Sequence, residues 1–187
     1  MERKDELLIA AEHLARTRGY DAFSYADLAI DVGIRKASIH HHFSRKSDLA
    51  LALIERYRDA FDQALIEIER ESANAGQRLD RFLGFYRTAL QGGTSLCLCV
   101  AFSAGRESLS DPVLRELNAF HDHARSWLTT TFERGVQDQT IVSVGNPLEE
   151  SAAALALVEG AQLLARAAGS LDPFDTSVQS LRARVTG

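Results

Sequence analysis

The chain has 187 residues, of which 45% are hydrophobic and 25% charged, a composition typical of globular domains and not of disordered or fibrous chains. Its 3 prolines and 12 glycines are too few for a collagen-like chain or for a sandwich rich in turns. The formal net charge is −5 at pH 7, so the protein as a whole does not attract nucleic acid or anionic lipid. Any such attraction must be local.

Three features bear on where the protein works. Cys97 and Cys99 are separated by one residue, which is poor spacing for a disulfide and supplies only half of a zinc site. The N-terminal residues carry charges of both signs, with no uninterrupted apolar run of the kind found in a signal peptide. The least polar stretch, residues 152–168, is too short and too polar to span a membrane. We therefore expect a soluble, cytoplasmic protein without a membrane partner.

Helical spacing of apolar residues dominates the chain. The first apolar stripe runs from Leu7 to Ala15, and Gly19 follows where a helix C-cap is favoured. A longer stripe over residues 50–68 keeps one face for about five turns. Similar stripes cover residues 79–90 and 113–128, and no segment alternates at period two. The pattern predicts an all-α protein with about nine helices.

Each of the three prolines follows an Asp or Asn, in Asp111-Pro112, Asn146-Pro147 and Asp172-Pro173. An Asp or Asn side chain caps a helix N-terminus well, and proline is favoured in the first turn. Each pair therefore predicts the start of a helix, with the Asp or Asn as its N-cap.

The predicted helices within residues 19–49 are too short to be stable alone. Ser24 can cap a helix of about two turns, with Asp27 at the third helical position to complete a capping box. Gly33 then supplies a turn with positive φ, and a second helix follows over about residues 35–42. Two short helices that need tertiary support and are joined at a glycine indicate a helix-turn-helix.

The second of these helices would face a DNA major groove. Ile39 and Phe43 point inward at i and i+4, which leaves the polar side chains outside. The window 35–46 contains no acid and four basic residues, namely Arg35, Lys36, Arg45 and Lys46. Phosphate binding scales with the number of phosphates neutralised and not with total protein charge. The chain can therefore bind DNA despite its net negative charge.

These residues resemble the tetracycline-repressor (TetR) family of one-component bacterial transcription regulators. The match covers about residues 4–55 and consists of Gly19-Tyr20, Phe23-Ser24, Asp27-Leu28-Ala29, Val32-Gly33-Ile34, Lys36-Ala37-Ser38-Ile39, His41-His42-Phe43 and Lys46-Ser47-Asp48-Leu49. The chain departs from the family pattern at Ala37, where the family often has Gly, at His40, where it usually has Tyr, and at Ser47, where Glu is common.

The resemblance implies an N-terminal three-helix DNA-binding domain over residues 1–49 and a C-terminal helical bundle for effector binding and dimerisation over residues 50–187. It implies a homodimeric repressor that binds palindromic operator DNA and is released by a small organic effector. The DNA contacts it implies are Ser24, Tyr25, Lys36, Ala37, Ser38, His40, His41, His42 and Lys46, and Arg35 of the cationic window is a further candidate.

The region after residue 76 contains no comparable motif, so its candidate effector contacts are chosen by residue type. Effector pockets are mostly apolar with a few polar anchors. The aromatic candidates are Phe82, Phe85, Tyr86, Phe102, Phe120 and Trp127, and the polar ones are Cys99, His121, His123, Glu159 and Gln162. An aromatic stripe is more often protein core, so both interpretations stay open. Small residues over 152–165, with the helix after Pro173, favour close helix packing across a two-fold axis.

The sequence leaves two alternatives. The protein could be a helical protein-interaction module that has lost DNA binding, or a regulator that responds to oxidants or electrophiles through Cys97 or Cys99. An enzyme is not expected, because the chain lacks a nucleophile–base spacing and a Gly-rich phosphate loop. No cofactor is expected either. A metal is not expected, since three consecutive histidines on a helix point about 100° apart and cannot converge on one ion.

Overall fold

The computed structural model describes residues 3–186, and over these residues it is all α apart from one isolated bridge between Ile141 and Val185. This part of the chain forms nine α-helices: α1 (Arg3–Arg18), α2 (Tyr25–Val32), α3 (Lys36–His42), α4 (Lys46–Glu71), α5 (Ala75–Ala89), α6 (Leu98–Ala104), α7 (Asp111–Gln137), α8 (Pro147–Ala168) and α9 (Asp172–Arg182). Short 3-10 helices lie at Gln91–Gly93 and Arg106–Ser108. The predicted all-α fold is confirmed, and each apolar stripe lies in a helix.

The helices form two compact units. The first contains the residues up to Ala60 together with Leu98–Phe120, and the second contains Phe61–Cys97 together with the residues from His121 onward. Helices α4 and α7 each contribute residues to both units. The boundary after residue 49, which follows from the family resemblance, stays a prediction.

The helix starts at the three prolines differ in detail from the sequence prediction. Asn146 caps α8, because its side chain accepts a hydrogen bond from the backbone N–H of Leu148 at 3.0 Å. Asp111 and Asp172, by contrast, are the first residues of α7 and α9, and the expectation that they are N-caps is wrong. Within the first turn their carboxylates still interact favourably with the positive end of the helix dipole.

The second unit brings a turn and a helix end into close contact. Gly93 has a φ of +92°, and a Cβ atom at this position would lie only 2.6 Å from the backbone nitrogen of Ser170. Gly169, just before it, caps α8 with a φ of +65°. Only glycine provides both the backbone angle and the space at position 93. Elsewhere in this unit, the Arg87 guanidinium donates two hydrogen bonds to the Asp175 carboxylate, at 2.7 and 2.8 Å.

Candidate nucleic-acid interface

Helices α2 and α3 form the predicted helix-turn-helix. The Ser24 hydroxyl accepts hydrogen bonds from the backbone N–H groups of Ala26 and Asp27, and the Asp27 carboxylate accepts one from the Ser24 N–H at 2.7 Å. The capping box is therefore confirmed. Gly33 ends α2 with a φ of +72°, the left-handed conformation expected of the turn. Local sequence signals thus fix both the start and the end of α2.

Helix α3 presents almost all of its side chains to solvent. Ile39 is its buried residue and anchors the helix to the unit. The exposed residues of α3 and its N-cap are Arg35, Lys36, Ala37, Ser38, His40, His41 and His42. A groove of about 630 Å³ runs along this face, lined by Arg3, Ile34, Arg35, Ala37, Ser38, His41 and His42. Most of the residues implied as DNA contacts therefore share one open surface.

The three histidines of α3 make two different sets of contacts. The His40 ring nitrogen Nδ1 lies 3.2 Å from the carbonyl oxygen of Ser44, and the rings of His41 and His42 meet edge to face with centroids 5.4 Å apart. Among residues 3–186, no group of three or more His, Cys, Asp or Glu side chains is placed to hold a metal ion.

Tyr25 lies inside the protein instead of on the open face of α3. Its side chain is buried, and its hydroxyl donates a hydrogen bond to the carbonyl oxygen of Phe43 at 3.1 Å. Its ring meets the His40 ring edge to face at 4.9 Å. Burial, with a smaller contribution from the nearby Asp48 carboxylate, raises the pKa of Tyr25 to about 12. The hydroxyl therefore stays protonated and ties the start of α2 to the end of α3.

Lys46 is also engaged within the unit. Its ammonium group donates hydrogen bonds to the backbone carbonyls of Tyr20 and Phe23, and it lies 4.4 Å from the centroids of both rings. Burial lowers the pKa of Lys46, although Asp21 and Asp27 oppose the shift. The sequence did not predict these contacts, because they join residues 23 and 26 positions apart.

The predicted cationic patch is therefore divided. Lys46 is half-buried and binds the loop before α2, whereas Arg35, Lys36 and Arg45 are exposed. Arg45 lies 3.4 Å from the carboxylate of Asp48, and Arg35 and Lys36 stand at the start of α3.

Known proteins share both the motif and the whole fold. Residues 7–53 match the family model described as bacterial regulatory proteins, tetR family. The crystal structure of a TetR-family transcriptional regulator from Agrobacterium tumefaciens is similar over 98% of this chain and 97% of its own, with a TM-score of 0.91 and 32% identity. The chain belongs to the TetR family.

Two further TetR-fold proteins are similar along nearly their whole length. The transcriptional repressor NemR of Escherichia coli K12 is 27% identical over 97% of this chain and 92% of its own. AibR, whose crystal structure contains isovaleryl coenzyme A and operator DNA, is 21% identical, with a TM-score of 0.76 over 98% of this chain and 100% of its own. At that identity, AibR shows the shared fold alone.

The candidate effector contacts of this TetR-family chain fall in both units. Cys99, Phe102 and Phe120 belong to the first unit and are fully buried. The other eight, in the second unit, are Phe82, Phe85, Tyr86, His121, His123, Trp127, Glu159 and Gln162. Of these, Phe82, Tyr86 and Gln162 are buried, His123 is exposed and the rest are half-buried. Their role in effector binding stays a prediction.

The polar candidates of the second unit contact different partners. His121 Nε2 lies 3.2 Å from a Glu159 oxygen, and His123 Nε2 lies 3.3 Å from a carboxylate oxygen of Asp62. Burial of the His121 imidazole opposes protonation, but the hydrogen bond and charge of Glu159 outweigh it and raise the pKa of His121. Sequence reasoning did not predict either acidic partner, since each pair joins residues from different helices.

The two cysteines lie in the interior. Both remain thiols, and they are 2% and 0% exposed. The backbone N–H of Cys97 donates a hydrogen bond to Gln162 Oε1 at 2.8 Å, within the second unit. A response to oxidants or electrophiles through either thiol stays a prediction.

Over residues 3–186, no helix is both long and apolar enough to cross a membrane.

Proposed function

We propose that the chain is a repressor that binds a palindromic operator as a homodimer and leaves it when a small organic effector binds. The observation that carries this proposal is the open face of α3, where only Ile39 is buried and two cations stand at the N-terminal end. Recognition helices contact base edges mainly with their N-terminal residues. The similarity to the repressor NemR supports repression over activation.

The solvent-facing side of α8 supports dimerisation. Leu148, Leu163 and Leu164 are each about half exposed, at 59%, 47% and 58%. Between them, residues 152, 153 and 156 are exposed alanines, which allow another helix to approach closely. Contiguous apolar surface on a soluble protein marks an interaction site. A two-fold dimer would present two copies of α3 to the two halves of a palindrome.

Effector binding is proposed for the second unit, which contains both an aromatic cluster of Phe82, Phe85, Tyr86 and Trp127 and several polar groups. The His121–Glu159 pair and the buried amide of Gln162 supply such polar anchors. AibR was crystallised with both isovaleryl coenzyme A and operator DNA, so the shared fold accommodates both kinds of ligand. We propose that the protein has no enzymatic activity. We also propose that it acts in the cytoplasm, where a bacterial regulator meets DNA.

The test combines DNA binding with the state of assembly. Purified protein is titrated against DNA from upstream of its own gene and against a random fragment of equal length, in low salt. We expect a specific complex with a two-fold symmetric footprint. If even the random fragment gives no retarded species at low salt, the DNA-binding function is refuted. That result would favour the alternative of a helical protein-interaction module.

The assembly is tested with Leu163→Glu and Leu164→Glu in one variant. We expect sedimentation to show a dimer for the native chain and a monomer for this variant, whose operator affinity falls by about 100-fold or more. Ile66→Glu is the matched control, because Ile66 is similarly exposed but lies on α4. A variant that remains dimeric would remove this face of α8 from the interface.

A further inference from the structure

Lys46, Tyr20 and Phe23 form a compact group within the first unit, here called the lysine cage. The Lys46 ammonium has three N–H donors, and two of them bind the carbonyls of Tyr20 and Phe23. The faces of both rings lie 4.4 Å from the same nitrogen and provide cation–π attraction. Lys46 is half-buried, and its charge points toward the loop before α2.

The cage joins the start of α4 to the loop between α1 and α2. Lys46 is the first residue of α4, whereas Tyr20 and Phe23 lie in the loop over residues 19–24. Ser24, which follows Phe23 directly, is the N-cap of α2. The position of this loop therefore sets where α2 begins.

Helix α2 in turn holds the recognition helix. The Tyr25 hydroxyl in its first turn donates to the carbonyl of Phe43, the C-cap residue of α3. A shift of the loop would be passed through this hydrogen bond to α3 and its groove-facing side chains. We infer that Lys46 acts on DNA binding as a positioning residue, which places α2 and α3 through the lysine cage, and not as a phosphate ligand.

The cage also contacts α6. The ring of Phe102, which is fully buried on α6, packs edge to face on the ring of Tyr20 with centroids 5.4 Å apart. A movement of α6 would therefore reach the cage through this ring contact. Phe102 thus connects α6 to the recognition helix through Tyr20.

The inference rests on the proposed DNA-binding function and is tested on the operator that the native chain binds. A phosphate ligand and a positioning residue predict opposite results for Lys46→Met. Loss of a phosphate contact in each subunit would make the slope of log affinity against log salt concentration (the salt slope) shallower by about 1.8. It would weaken binding to operator and to random DNA alike. Loss of the cage leaves the slope unchanged but weakens operator binding by about tenfold, with little effect on random DNA.

Lys46→Arg separates the two roles without loss of charge. A guanidinium binds phosphate at least as well as an ammonium, but its planar fork cannot replace a compact donor between two carbonyls and two rings. We expect Lys46→Arg to remain impaired in operator binding. The inference is overturned if Lys46→Arg binds the operator as tightly as the native chain, or if Lys46→Met has a shallower salt slope than the native chain. If Lys46→Met does not fold, as judged by circular dichroism, Lys46→Arg decides alone.

The link to α6 is tested by a double-mutant cycle. Phe102→Leu should weaken operator binding with an unchanged salt slope, and its combination with Lys46→Met should be no more than about twofold weaker than the poorer single variant. Fully additive losses would overturn the link to α6. If the native chain fails to bind any DNA, the proposed function itself fails, which is distinct from every outcome for the variants.

Discussion

Lys36→Ala tests whether the exposed end of α3 meets the DNA backbone. Lys36 is the first residue of α3, it is exposed, and it lies beside the groove-facing residues. Each phosphate contact contributes about −0.9 to the slope of log affinity against log salt concentration. Loss of one contact per subunit of a dimer should therefore reduce the slope by about 1.8. When salt rises from about 50 to about 200 mM, the native protein should lose about twelvefold more affinity than the variant.

The assay is fluorescence anisotropy with labelled operator at four or more salt concentrations. Arg70→Ala is the control, because it removes the same charge from a 70% exposed side chain in the last turn of α4. We expect the control slope to match the native slope. An unchanged slope for Lys36→Ala, together with an altered preference for operator bases, would refute the phosphate contact and indicate base contact by Lys36 instead.

Three further predictions concern stability, measured by urea unfolding of the whole chain. Tyr25→Phe should cost about 1–2 kcal/mol, because the buried carbonyl of Phe43 loses its donor; no change in the midpoint would mean that the bond contributes nothing. The pKa of His121 in the folded protein is raised above the ordinary histidine value of about 6.5, so its pairing with Glu159 stabilises the fold below about pH 6.5, and this stabilisation is lost as the pH rises through the folded pKa. His121→Gln should thus cost up to about 1 kcal/mol near pH 6 and less near pH 9, whereas equal costs would contradict the pairing. Gly93→Ala should cost about 3 kcal/mol or more, while Gly84→Ala, in an open position on α5, should cost nothing; similar midpoints for the two would refute the close contact.

Much of the DNA-binding region could be predicted because its signals are local. The Ser24–Asp27 capping box and the left-handed Gly33 each depend on residues within one helical turn, and the structure contains both. Helix periodicity similarly predicted the stripes now found in α4, α5 and α7. The two aspartate caps were wrong by one residue, since an Asp before a proline suits both the cap and the first turn.

The parts that could not be predicted depend on contacts between distant residues. The roles of Tyr25 and Lys46 are decided by partners 18 and up to 26 positions away, and no periodicity records such partners. The discontinuous first unit, which takes in Leu98–Phe120, is likewise not marked by any shift in composition. The acidic partners of His121 and His123 could not be predicted either, because they lie on other helices and are brought close only by helix packing.

Trp127 gives the protein an intrinsic optical probe. It is the sole tryptophan of the chain, its indole is stacked on Phe82 with 18° between the planes, and its N–H donates to Glu69 at 2.9 Å. All three residues belong to the second unit. Emission excited at the red edge of the indole band therefore arises from the second unit, where effector binding is proposed, without background from α2 or α3. Quenching titrations can thus follow events in that unit in unlabelled protein.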